Sequence, residues 1–294
     1  MALLKQNGKN AHVMTQRKSK SIINAGCNGV HKSDAKKMAD WMPNLIIIGA
    51  PKSATSSLAY TLSKHENVFC CEPSEPKFFG SKYYKGWDWY SKIFFEGRNC
   101  KIRIEASTKY ASSDQFFKRT PELIHSYIPN TKLVYVVRNP IERTISHWRH
   151  LKGRLTSKKI ASFHEILENK ILYNKIIRCS MYFKQIKKFR HYFPDDQIHC
   201  LTFEDLTTKP SETLAALFKF ADLKGDPETL LRVENGVKKL PHLNQAGAKK
   251  RTFVEAPVIT KKFKIRLQKE FRGDSKRFLK YINKPKDYWS KSIK

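Results

Sequence analysis

The residues best suited to chemistry stand together at Gly49-Ala-Pro-Lys-Ser-Ala-Thr-Ser56. A β-branched run, Leu45-Ile-Ile-Ile-Gly49, leads into them. A helical pattern with Leu58 and Leu62 four apart leads out. Small residues let backbone N–H groups approach an oxyanion, and the following helix start adds unpaired donors and the positive end of its dipole. Lys52 contributes a charge on a flexible stem, and Thr55, Ser56 and Ser57 contribute hydroxyls. Such a cradle suits a phosphate or sulfate. A tight strand-to-helix turn with a solvent-facing lysine would use the same residue types. The Gly-x-x-x-x-Gly-Lys-Ser/Thr order of a Walker A loop is absent, because Lys52 comes too early and Ala54 stands where a second glycine is expected. That absence disfavours nucleoside triphosphate hydrolysis, and the dinucleotide fingerprint is absent too.

A cradle of this kind has to be held by a sheet. Further strand patterns occur at 101–105, 132–137 and 197–203, and helical patterns at 57–65, 87–95, 121–127, 141–152, 163–170, 174–192 and 210–221. Pro140 suits a first helical position. The connection 68–79 is punctuated by Pro73 and Pro76. Alternating strands and helices predict an α/β chain with a central, mainly parallel sheet flanked by helices. The expected organisation is a basic, flexible arm over 1–42 and a single domain over 43–294 whose C-terminal part is helical and lysine-rich.

Lys and Arg number 57 against 26 Asp and Glu, a net charge of +31 over 294 residues. The stretch from Lys238 to Lys294 alone carries +14. Eighteen Phe, twelve Tyr and five Trp supply a core and exclude a wholly disordered chain. The charge favours anionic partners: nucleic acid, phosphate or sulfate groups, acidic glycans or an anionic membrane. It does not choose among them. Six cysteines form no CxxC pair and no ligand spacing with histidine, so no metal is expected and a reducing compartment is the default. No run approaches the ~20 apolar residues of a membrane span. Residues 1–44 make a poor signal peptide, with a transit peptide the weaker rival. The expected location is cytoplasmic, and a Golgi-lumen protein shorn of its anchor is the alternative.

Pro51-Lys-Ser-Ala-Thr-Ser-Ser-Leu58 resembles the 5′-phosphosulfate loop of the sulfotransferases that use 3′-phosphoadenosine 5′-phosphosulfate (PAPS), with Ala54 where the family usually has Gly. Their second signature is an Arg after a buried strand and a Ser about two helical turns on. It is matched by Val134-Tyr-Val-Val-Arg138 and Ser146. The resemblance extends over residues 43 to 252 and implies a three-layer P-loop-like fold, PAPS as donor, PAP as product and no metal. Pro51, Lys52, Ser53, Ala54, Thr55, Ser56 and Ser57 would hold the 5′ side. Arg138 and Ser146 would hold the 3′-phosphate, and Lys249, Lys250 and Arg251 lie in a segment similar to a late loop that closes over the nucleotide.

Glu72-Pro-Ser-Glu75-Pro-Lys77-Phe-Phe79 is similar to a segment of the glycan branch, related to the heparan sulfate N- and 3-O-enzymes and to bacterial members. There the Glu three residues before the Phe pair is the general base. The resemblance implies Glu75 in that role, with Glu72 the second candidate and Lys77 beside the acceptor. An attacking hydroxyl or amine must lose a proton, and a nearby carboxylate can take it. Lys52 would offset charge on the leaving phosphate. Glu105-Ala-Ser107 resembles a segment in which some members carry Lys after Glu. Here that place is Ala106, and Lys77 or Lys109 are the candidates to replace the charge. Arg178 and Tyr182, one turn apart, would face donor or acceptor. The Lys-x-x-His run that the small-molecule branch carries near this strand does not occur there, and His65, His147, His150 and His164 read as surface or helix residues. The expected activity is sulfuryl transfer from PAPS to a hydroxyl or amine of an acceptor, with a glycan the first candidate. The alternatives are a small-molecule or natural-product acceptor, a basic nucleic-acid-binding module, and a P-loop kinase.

Overall fold

The computed structural model describes residues 41–154, 162–241 and 254–290. Five strands, β1 (Leu45–Gly49), β2 (Val68–Cys70), β3 (Ile102–Glu105), β4 (Lys132–Val137) and β5 (Ile198–Thr202), form a parallel sheet in the order β2-β3-β1-β4-β5. Every residue of β1 is buried. Ile46, Ile48, Leu133, Tyr135 and Val137 face one core, and Leu45, Ile47, Val134 and Val136 face the other. That is why these strands read as continuous apolar runs rather than alternating ones.

Helices cover both faces. On one lie α1 (Thr55–Leu62), α6 (Phe203–Thr208) and α7 (Pro210–Ala221), burying Leu58, Leu62, Leu206, Leu214 and Leu217. On the other lie α2 (Gly86–Lys92), α3 (Thr120–Tyr127), α5 (Tyr182–Arg190) and the end of α8 (Lys261–Tyr281), burying Trp87, Tyr90, Ile124, Ile186 and Phe278. A third cluster joins α4 (Pro140–Arg154) to the start of α8 through Ile141, Trp148, Phe263 and Leu267. The expected α/β three-layer architecture is the observed one. Pro140 is the first residue of α4, as its fixed φ favours.

Four expectations are corrected. The sheet has an edge strand, β2, within the Pro-punctuated connection; three residues are too few to show a period. The segment 163–170 forms only a single tight turn over Phe163–Ile166. The helix expected over 174–192 is broken: Tyr173–Ile177 is wide-wound, Arg178–Ser180 is tight, and Met181 leaves the helix at φ −87° and ψ 75°. The break lets Ile176 and Ile177 pack into the α4 cluster while Tyr182, Ile186 and Phe189 pack on the sheet. Asp274 of α8 repairs the new helix start by accepting the N–H groups of Phe183 and Lys184, each at 2.9 Å. Finally, Asn235-Gly236, both at positive φ, closes a hairpin of β6 (Arg232–Glu234) and β7 (Val237–Lys239) that is not among the expected elements.

The arm expected over 1–42 falls almost wholly outside the described residues, as do Lys249, Lys250 and Arg251. Among the described residues no helix is long and apolar enough to cross a membrane.

Candidate active site

The loop after β1 is shaped by two left-handed residues. Lys52 has φ 74° and Ala54 has φ 63°. Gly49 is closely packed, because a Cβ there would come within about 3 Å of the Tyr135 ring and the Thr108 carbonyl, so any side chain would have to push them aside. The Ala50 N–H donates to the Val136 carbonyl at 2.6 Å and pins the loop to β4. Ala54 is the N-cap of α1, so no side-chain oxygen caps this helix, and its first turn carries no acid. The leading N–H groups of α1 therefore face the cleft beside the hydroxyls of Ser56 and Ser57. Below the loop, Ser53 is fully buried and its hydroxyl has no protein partner. An uncapped helix start, flanked by hydroxyls and a lysine, fits a phosphate or sulfate.

Arg143 holds the loop from below. Its guanidinium is fully buried and donates to the carbonyls of Pro51 (3.3 Å) and Ile176 (2.5 Å), to Ser180 Oγ (2.5 Å) and to His147 Nδ1 (3.0 Å). A guanidinium only donates, so His147 Nδ1 accepts and the ring proton sits on Nε2. Burial, then the Arg143 charge, keep His147 well below the usual imidazole range.

Two adjoining cavities of about 370 and 350 Å³ share Lys52, Ala54 and Ser57 in their walls. The second contains Arg138, Ser146, Phe203, Leu206, Thr207 and Lys239. Arg138 follows directly on β4. Its guanidinium lies over the Phe203 ring at 4.3 Å and donates twice to Glu142 Oε2, at 2.9 and 3.2 Å. The turn is braced by Tyr182, whose hydroxyl donates to the Arg138 carbonyl at 2.6 Å. It is braced again by Glu204, which accepts the Asn139 N–H at 2.8 Å. The end of β4 and the second turn of α4 thus bring Arg138 and Ser146 to one space.

The first cavity holds Glu75 among Lys52, Lys77, Lys109, Lys175, His147 and His150. Glu75 Oε1 accepts from Thr108 Oγ1 at 2.9 Å, and Oε2 lies 3.3 Å from Lys77 Nζ. Lys52 Nζ is 3.5 Å from His150 Nδ1. The carboxylate is half-buried, oriented by a hydroxyl, and surrounded by cations. This arrangement can take a proton from an acceptor and draw in an anion. Among the described residues, no group of three or more His, Cys, Asp or Glu is placed to hold a metal ion.

Of the residues singled out in the sequence, Pro51, Lys52, Ala54, Thr55, Ser56, Ser57, Glu75 and Lys77 line one cavity, and Arg138 and Ser146 the next. Three placements correct the expectation. Tyr182 is fully buried, lines neither cavity, and donates its hydroxyl to the Arg138 carbonyl. Arg178 lines a separate basic cavity with Lys118, Lys184 and Lys188, because the helix break turns it away. Glu72 is exposed and lies outside the cleft lining. Thr108, His147, His150 and Lys175 line the cleft although the sequence patterns do not single them out as site residues. For the two histidines a signal exists: Arg143, Ser146, His147 and His150 fall at i, i+3, i+4 and i+7, one face of α4. The lysine lost at Ala106 has counterparts in place, since both Lys77 and Lys109 line the cavity.

The family model described as "Sulfotransferase domain" matches residues 42–275. Heparan sulfate glucosamine 3-O-sulfotransferase 6 of Homo sapiens is 26% identical over 246 residues, covering 80% of this chain and 70% of that protein. This and two further curated relatives are spanned over 70, 58 and 30% of their own lengths. A sulfotransferase structure from Alicyclobacillus acidocaldarius superposes with a TM-score of 0.65 at 20% identity, covering 85% of this chain and 99% of that one. A mouse sulfotransferase complexed with PAP superposes with a TM-score of 0.52 at 12% identity, covering 84% and 92%. The two structures share the fold.

Proposed function

Because the chain belongs to the sulfotransferase domain family, we propose that its joined cavities bind PAPS and carry sulfuryl transfer to a hydroxyl or amine of an acceptor. The observation that carries this reading is the shared wall of Lys52, Ala54 and Ser57. It makes the anion loop, the Arg138–Ser146 pair and Glu75 parts of one cleft.

PAPS, when bound, supplies the activated sulfuryl group. The start of α1 with Ser56 and Ser57 would hold the 5′ side, and Arg138 and Ser146 the 3′-phosphate. Lys52 would offset charge building on the leaving phosphate, and Glu75 would take the acceptor proton. Thr108 and Lys77 orient that carboxylate before the acceptor arrives. Orientation and charge compensation supply the catalysis.

The acceptor we favour is an anionic glycan. Lys52, Lys77, Lys109 and Lys175 surround Glu75 and would attract acidic groups. Relatives acting on heparan sulfate glucosamine support the same choice. A cytoplasmic location accords with Cys70, Cys71, Cys100, Cys179 and Cys200 being free thiols.

Radiolabelled PAPS with a panel of sulfated oligosaccharides, neutral oligosaccharides and small alcohols or amines tests both levels. Transfer to the acidic oligosaccharides is expected. Transfer only to small alcohols or amines would move the protein to the small-molecule branch. Lys52→Ala and Glu75→Gln should each lower kcat by about 10²-fold or more. Wild-type turnover of both at saturating PAPS would remove the assigned roles.

A further inference from the structure

We infer that Glu105 is a positioning residue for Glu75, holding the base-bearing segment in register through two tyrosines; this rests on the reading of Glu75 as the base. Glu105 ends β3 and is fully buried beneath the cleft. Hydroxyls hold it. Tyr110 Oη donates to Oε1 at 2.5 Å, and Tyr90 Oη donates to Oε2.

Each tyrosine also grips the segment that carries Glu75. Tyr110 Oη accepts the Phe79 N–H at 3.0 Å, and the Tyr90 ring stacks on Phe78 at 4.1 Å with planes 7° apart. Ser107, two residues beyond Glu105, accepts the Lys77 N–H at 2.8 Å. Its neighbour Thr108 donates to Glu75 itself. The segment 75–79 is therefore fastened at Glu75, Lys77, Phe78 and Phe79, and all four fastenings lead back to β3 and the loop that follows it. Lys77 sits at φ 57°, a conformation an L-residue adopts only when its surroundings impose it.

An apolar side chain would fill a core site at lower cost than a carboxyl. What a carboxyl adds is two acceptor oxygens in one rigid plane, able to fix two phenols at once. Glutamine offers one acceptor and an N–H₂ group, and must leave one phenol without its acceptor.

The test compares wild type, Glu105→Gln, Glu75→Gln and the double variant in the full chain, with radiolabelled PAPS and the best acceptor from the panel above. Titration with PAP and thermal unfolding of each variant accompany the kinetics. Glu105→Gln should lower kcat about tenfold to a hundredfold, with PAP affinity within about twofold of wild type. It should cause no further loss in the Glu75→Gln background. Equal losses in both backgrounds, or a parallel loss of PAP affinity, would show a general structural role and overturn the inference while leaving Glu75 as the base. Unchanged turnover of Glu75→Gln would overturn both. If Glu105→Gln fails to fold, Tyr110→Phe removes one hydroxyl link and is read by the same comparison.

Discussion

Arg143, on the buried face of α4, donates a hydrogen bond to the carbonyl oxygen of Pro51 at 3.3 Å. The anion loop and the helix that presents Ser146 are thereby one mechanical unit. The same guanidinium serves Ile176, Ser180 and His147, so it also fastens the broken helix beneath the site. Arg143→Leu would strand the Pro51 and Ile176 carbonyls without a donor. A loss of about 3 kcal/mol is expected, read as a lower urea midpoint. Stability within about 0.5 kcal/mol of wild type would show that the network is not holding the loop.

The left-handed position of Ala54 costs an L-residue about 1 kcal/mol relative to glycine. Ala54→Gly should leave the fold intact, raise the urea midpoint or leave it unchanged, and keep or improve PAP affinity. A clear loss of affinity in calorimetry would mean that the Ala54 methyl contacts the ligand.

Arg138 is expected to make charge-assisted bonds to a phosphate in place of its bonds to Glu142. Such bonds contribute about 1.5–3 kcal/mol. Arg138→Ala should therefore raise the KM for PAPS about tenfold to a hundredfold, with kcat within about threefold. Ser146→Ala should have a smaller effect in the same direction. A fall in kcat at unchanged KM would place Arg138 at the reacting sulfur instead.

Glu105 gives the fold a pH dependence. Burial pushes its carboxyl up to about 7, against the pull of hydroxyls from Ser107, Tyr110 and Tyr90, and Glu75 pushes it the same way as burial. An unfolded glutamate titrates near ~4.3. Between these values the folded chain binds more protons than the unfolded one, so stability falls as pH rises and levels off above the folded value. From pH 5 to 8 the wild type should lose up to about 3 kcal/mol relative to Glu105→Gln, measured by urea unfolding at both pH values. A difference independent of pH would contradict this coupling.

Both strand-turn-helix segments of the candidate site are legible in the amino-acid sequence, because each is local. A β-branched strand, small residues and a helix start lie within one stretch at 45–62, and strand, Arg138 and Pro140 within another at 132–140. Glu75 is legible only by resemblance, since nothing in its spacing distinguishes it from Glu72. His147 and His150 carry only the indirect signal of sharing a helical face with Arg143 and Ser146, because a histidine on a helix has no periodicity of its own. The helical face they share with Arg143 acquires meaning only once that face is known to be covered.

The sequence alone determined the strand-loop-helix units, because their signals are backbone conformation and apolar period. It determined the excess of positive charge by composition. Tertiary structure decided which charges converge. Pairing β1 with both β3 and β4 brings the loop at Lys52, the segment after Glu105 and the turn at Arg138 to the same edge of one sheet. It also turned Arg178 away from the site, buried Tyr182, and placed Glu105 under Glu75. The physical reason is that burial and long-range hydrogen bonds depend on contacts between residues far apart in the chain, which local spacing does not encode.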